Sequence, residues 1–144
     1  MGEAVFPFIL DTYTTDSSTV LEESAISKEY AWDFDRDCFL MVDGKLSTVS
    51  GQEAIKIWAM KALRTPRYRY LAYSWAYGHE LENLVGQSLS QEAALSEAKR
   101  YITEALKVNP CIIEVKSLSV DLADATLKIA CTLVTQYGEV AVVV

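Results

Sequence analysis

Residues 126–144 read TLKIACTLVTQYGEVAVVV, and their spacing decides the fold. Leu127, Ile129, Cys131 and Leu133 occupy every second position, the pattern of a strand with one buried face. Gly138 offers a turn, and Glu139–Val144 follows as a strand that is apolar on both faces. Upstream, Ile113 and Val115 share one parity while Leu118, Val120 and Leu122 share the other. A bulge near Lys116-Ser117 would bring all five to one side. With a turn at Ala123–Ala125, residues 112–144 are predicted to form an antiparallel three-stranded sheet.

The last strand carries the first functional signal. Val140, Val142 and Val144 lie on one face, Ala141 and Val143 on the other, and no charge blunts the end of the chain. Exposed edges usually carry such a charge. Either this strand is central in its sheet or a strand from another chain completes it by β-augmentation. On the second reading Leu133, Val140, Val142 and Val144 form the pairing surface. Replacing Val142 with proline should then abolish pairing and leave a soluble fold.

Moving outward, Ser90 begins a long helix with Leu95, Ala98, Ile102, Ala105 and Leu106 inward, and Asn109-Pro110 closes it. Ser50-Gly51-Gln52-Glu53 reads as a capping box for a helix to about Arg64, with Ile55, Trp58, Ala59 and Ala62 on one face. Thr65-Pro66 ends that helix. Tyr30, Trp32 and Phe34 alternate as a strand, and Cys38–Val42, Asp43-Gly44 and Lys45–Val49 form a hairpin. Between the helices, Tyr68, Tyr70 and Ala72 share a face if extended, and Ser74 is placed to cap a short helix reaching Leu84. Val5–Leu10 could be a short strand interrupted by Pro7, and Asp11–Thr19 is mostly Asp, Thr and Ser. Residues 1–27 therefore read as an extended arm that orders on something else. The whole is an α+β fold: an N-terminal β-hairpin, two main helices and the C-terminal sheet, in a single domain over 28–144.

The 144 residues are 51% hydrophobic and 23% charged, an ordinary globular composition long enough to bury a core. The net charge of −7 lies in the N-terminal third, so no broad basic surface exists for nucleic acid. The run Lys56, Lys61, Arg64, Arg67, Arg69 is a local exception that could meet an acidic partner. Cys38, Cys111 and Cys131 have no metal-ligand spacing and read as buried free thiols. No apolar run is long enough for a membrane, and the N-terminus lacks the basic and apolar regions of a leader, so a soluble, non-secreted protein is expected.

Catalytic equipment is sparse. His79 has no nucleophile beside it, Glu80 and Glu82 would diverge on a helix, and Asp33, Asp35 and Asp37 on one strand face read as a solvated rim. No phosphate loop, dinucleotide fingerprint or cation loop occurs. The expectation is no enzyme, no cofactor and no metal. The aromatic residues of 67–86, by contrast, suit a protein interface.

The stretch from Ser27 to Gly86 resembles a known family. Ser27-Lys28-Glu29-Tyr30, the Asp43-Gly44 hairpin, the helix Gln52–Leu63, and above all Thr65–Gly86 with Arg67, Tyr68, Tyr70, Tyr73, Trp75, Tyr77 and Gly78 are similar to the small baseplate wedge proteins, or sheath initiators, of contractile phage tails and phage-tail-like bacteriocins. The resemblance implies a loosely lysozyme-like fold and a structural role in the baseplate of a virion or tail-like particle, after synthesis in the bacterial host cytoplasm. It implies several copies in a ring, with neighbouring wedge proteins, the sheath protein and the tail tube as partners. The family motif is a Thr, an acid and an Arg followed by an aromatic-Gly pair. Thr65, Arg67 and Tyr77-Gly78 match, while Pro66 replaces the acid and leaves Arg67 freer for a partner's carboxylate or carbonyls. The wedge-binding set expected from this likeness is Arg64, Thr65, Arg67, Tyr70, Tyr73, Tyr77 and Gly78. Two alternatives are a lysozyme-like muramidase acting through Glu80, suggested by the fold analogy alone, and a prophage regulator with an unrelated partner.

Overall fold

The computed structural model describes residues 27–123 and 126–144. The arm, its expected strand at Val5–Leu10 and most of the turn at Ala123–Ala125 lie outside them. The described chain opens with short strands β1 (Lys28–Tyr30), β2 (Trp32–Asp33), β3 (Cys38–Phe39), β4 (Met41–Val42), β5 (Lys45–Leu46) and β6 (Thr48–Ser50). These make a three-armed unit rather than a single hairpin: β1 pairs β6, β2 pairs β3 and β4 pairs β5. At its centre the Ala31 N–H donates to Ser47 O, Leu40 N–H to Ala31 O and Ser47 N–H to Leu40 O. Ala31, between β1 and β2, is therefore the buried residue here, and Tyr30 is about half exposed. The Asp43-Gly44 turn forms as expected, with φ of 51° and 73° at its two residues, the type I′ geometry that matches strand twist. Asp33, Asp35 and Asp37 do not share a strand face. Asp33 Oδ1 instead accepts from the N–H groups of Asp35 and Arg36 and curls the chain into a turn.

Helix α1 (Gln52–Arg64) begins without the expected capping box. Ser50 is held in β6 opposite Lys28, so Gly51 becomes the N-cap with a φ of 66° and no side chain caps the helix. The helix packs between β1/β6 on one side and the last strand on the other. Burial on two sides explains why Ala54 and Ile57 are as buried as Ile55 and Ala59, whereas Trp58 is only partly covered. Helix α2 (Gln91–Lys107) keeps its expected cap: Ser90 Oγ accepts from the Ala93 N–H at 3.2 Å. Ala98, Ile102, Ala105 and Leu106 are buried.

The C-terminal sheet has the order β7-β8-β9, with β7 (Ile112–Ala123), β8 (Thr126–Thr135) and β9 (Gly138–Val143) all antiparallel. The bulge falls where the parity switch demands it: the register shifts between Lys116 and Ser119, and Ser117 has a φ of 51°. A second shift, between Ile112 and Glu114, buries Ile112 and leaves Ile113 outside, so Ile113 does not join the inner face. Leu122, near the sheet's end, is also exposed. Helix α1 lies over β9 and α2 over β7. The core between the layers is Ile55, Ala59, Met60 and Leu63 from α1, Ile102 and Leu106 from α2, and Ile112, Ile129, Cys131, Leu133 and Val142 from the sheet. Burial pushes the Cys131 thiol up to about 11, as expected of a packing residue. Cys38, contrary to expectation, is exposed, because β3 has no layer above it. No helix among the described residues is long and apolar enough to cross a membrane.

Candidate assembly surfaces

The expected site residues fall in two regions: strand β9 with its neighbour β8, and the loop between α1 and α2. The edge follows from register. Ile129 and Val144 exchange both backbone hydrogen bonds, at 2.7 and 2.8 Å. Antiparallel bonding alternates by two, so Val142 faces Cys131 and Val140 faces Leu133 in the same bonded fashion. The backbone groups of Glu139, Ala141 and Val143 therefore point away from the sheet. The Gln52 side chain donates to the Glu139 carbonyl at 2.8 Å. No described strand pairs with the rest of that edge.

The two edges of the sheet are treated differently. β7 carries the bulge at Ser117 and charged residues at Glu114, Lys116 and Asp121, all devices that discourage a second strand. β9 is regular, and Glu139 is its one charged residue. An incoming strand would meet a flat ladder at β9 and an irregular one at β7. Residues Leu133, Val140, Val142 and Val144 face the core; Val142 is 0% exposed and Val143 67%. A proline at Val142 would break the bond to Cys131 and open the core, so it does not isolate the edge. Ala141 is the position that does.

The loop after α1 is closed by a short parallel bridge between Pro66 and His79. Arg67 N–H donates to His79 O at 2.7 Å, and His79 N–H donates to Thr65 O at 3.0 Å. Gly78, with a φ of 97°, passes directly beneath. The bridge at His79 and the bends at Tyr77 and Gly78 leave no helix running from Ser74, and only a 3-10 turn forms, at Leu81–Leu84.

The expected wedge-binding residues divide into two groups. Thr65, Arg67 and Gly78 are spent within the loop. The Arg67 side chain is only 12% exposed, donates to Gly78 O at 3.1 Å and pairs with Glu80 at 3.5 Å. The acid missing at Pro66 is thus supplied by Glu80, beyond the turn at Gly78, and Arg67 is not left free. Tyr77 is half-buried, stacked on Tyr73 at 4.7 Å and set edge-on to Trp58 at 5.8 Å. Burial, then the neighbouring Tyr73, pushes its hydroxyl up to about 12. Arg64, Tyr70 and Tyr73 are exposed, as are Tyr68, Leu71 and Trp75, which the expected wedge-binding set does not include. Tyr68 and Trp75 lie 5.7 Å apart.

The basic run is neutralised from inside the chain. Lys61 pairs with Glu29 at 2.8 Å, Arg64 with Asp37 at 2.6 Å and Arg69 with Glu82 at 3.0 Å, and Lys56 sits over the Phe34 ring. What this face offers a partner is aromatic and apolar rather than strongly charged. His79 is turned to structure as well: its Nδ1 accepts from the Leu81 N–H, and burial holds the imidazole below its ordinary value. Among the described residues no three His, Cys, Asp or Glu side chains converge as a metal site would require.

An α+β scaffold with one regular, nearly uncharged sheet edge and one ordered aromatic loop suits an assembly component. Residues 28–138 match the family of contractile injection system sheath initiators, and the chain belongs to that family. Its members are structural components of contractile tails and act among the other tail and sheath parts. No curated protein matches the chain.

Proposed function

We propose that this chain starts the sheath by strand addition at β9 while its aromatic loop seats it on the neighbouring baseplate wedge. The outer backbone of Glu139, Ala141 and Val143 would pair with an extended segment of the first sheath subunit. Arg64, Tyr70 and Tyr73, with Tyr68, Leu71 and Trp75 around them, would meet the wedge protein, and Thr65, Arg67, Tyr77 and Gly78 hold that surface in shape. Residues 28–144 act as one wedge domain, present in several copies in a ring around the tube. The observation that carries this reading is the asymmetry of the sheet, in which the β7 edge is irregular and charged and the β9 edge is regular and nearly uncharged.

The role is a binding one, without catalysis. Glu80, the acid through which a muramidase would act, is committed to Arg67. The test is Ala141→Pro in the assembling particle. Baseplates should form and contain the variant, but sheath should not polymerise on them. Normal sheath on Ala141→Pro baseplates would refute strand addition. Loss of the variant from the baseplate would place the defect at the wedge instead.

A further inference from the structure

The end of the sandwich opposite Gly138 is open. A groove of about 830 Å³ runs there between the start of α2, the 3-10 turn and the far ends of the C-terminal strands. Leu84, Leu95, Leu122, Leu127, Ile129 and Val144 line it. Apolar surface of this extent on a small domain marks a place that another segment covers.

We propose that the occupant is this chain's own segment 5–10, Val-Phe-Pro-Phe-Ile-Leu, folded back from the N-terminus. Its chemistry fits. Residues 4–10 contain no charge, lie between Glu3 and Asp11, and form the longest apolar run in the first 26 residues. Phe6, Phe8, Ile9 and Leu10 supply side chains for an apolar trough, the flanking acids stay at its mouth, and Pro7 brings no N–H that would need a buried acceptor.

Its reach fits as well. The described chain begins at Ser27, whose carbonyl accepts from the Gly51 N–H at the start of α1. The groove is bounded by Leu63 and Arg64 at the other end of the same helix. Thirteen helical residues separate the two points by about 20 Å. Residues 11–26 can extend to about 50 Å, more than twice that span. They are largely polar, and a tether of this length holds its cargo at an effective concentration on the order of millimolar. Even weak apolar binding then keeps the groove filled.

Hydrogen exchange on the full chain tests this. The double variant Phe6→Asp, Phe8→Asp removes the anchors and leaves every groove residue in place. Amides at 84–85, 94–95 and 121–122 should exchange on the order of tenfold faster in the variant. Amides at 131–133 should be unchanged, and a synthetic peptide of residues 1–12 should restore the slow rates. Equal exchange in the two chains would overturn the proposal. So would protection that varies with protein concentration, which assigns the groove to a second copy, or protection that develops only when another baseplate protein is added.

Discussion

A Cβ built on Gly78 would stand 2.5 Å from the carbonyl oxygen of Thr65 and 3.1 Å from the Arg67 nitrogen. Both neighbours are backbone, so neither can swing aside, and the φ of 97° is strained for any other residue. Gly78→Ala should therefore destabilise the domain by at least about 2 kcal/mol, measured by urea denaturation. An unchanged midpoint would mean that the bridge between Pro66 and His79 contributes little.

Arg67 ties the same loop from the side-chain end. Arg67→Ala removes the bond to Gly78 O and leaves Glu80 mostly buried without its cation. A loss of roughly 2–3 kcal/mol is expected. Glu80→Gln keeps a hydrogen-bonding group in place and should cost less, by comparison of the two denaturation curves.

Proline scanning along β9 should report the direction of each N–H. Val142→Pro breaks an internal bond and empties a buried site, so it should lower stability by about 3 kcal/mol or more. Ala141→Pro points its missing N–H outward and should stay within about 1 kcal/mol of the parent. Equal losses at the two positions would contradict the register.

His79 gives the fold an acid-side weakness. Burial and Arg67 hold its folded pKa below the ordinary 6.5, and Glu82 opposes them. The unfolded chain therefore binds a proton first as pH falls. Its contribution is complete above about pH 6.5 and is lost as pH drops through the lower folded value. Protonation at Nδ1 would also end the bond from the Leu81 N–H. Melting temperature should fall between pH 7.5 and pH 5, and His79→Gln should flatten that part of the profile.

Leu71 and Trp75 project into solvent, with Trp75 82% exposed. Leu71→Asp and Trp75→Ala should each change stability by no more than about 0.5 kcal/mol. Either should reduce incorporation into assembled baseplates, read by immunoblot of purified particles. Normal incorporation would move the wedge contact elsewhere.

Much of this molecule was legible before any coordinate. Alternation along β8, the Ser90 cap, the Asp43-Gly44 turn and the bulge at Ser117 all follow from the geometry of a residue and its near neighbours, and all appear where the spacing puts them. The inward orientation of Val140, Val142 and Val144 was also within reach. Thr135 and Gly138 close a two-residue hairpin, and counting by two from that pair separates bonded from outward positions.

What only the tertiary structure decided is who pairs with whom at a distance. Ser50 pairs with Lys28 and does not cap α1, and the Gln52 side chain donates to the Glu139 carbonyl. Glu80 became the partner of Arg67 because the chain doubles back at Gly78. The strand order β7-β8-β9, which leaves Ala141 and Val143 facing outward, was decided there too. Local patterns specify which face of an element is apolar, because side-chain direction is set within a few bonds. They leave open which edge stays bare, because that depends on every other segment competing for the same hydrogen bonds.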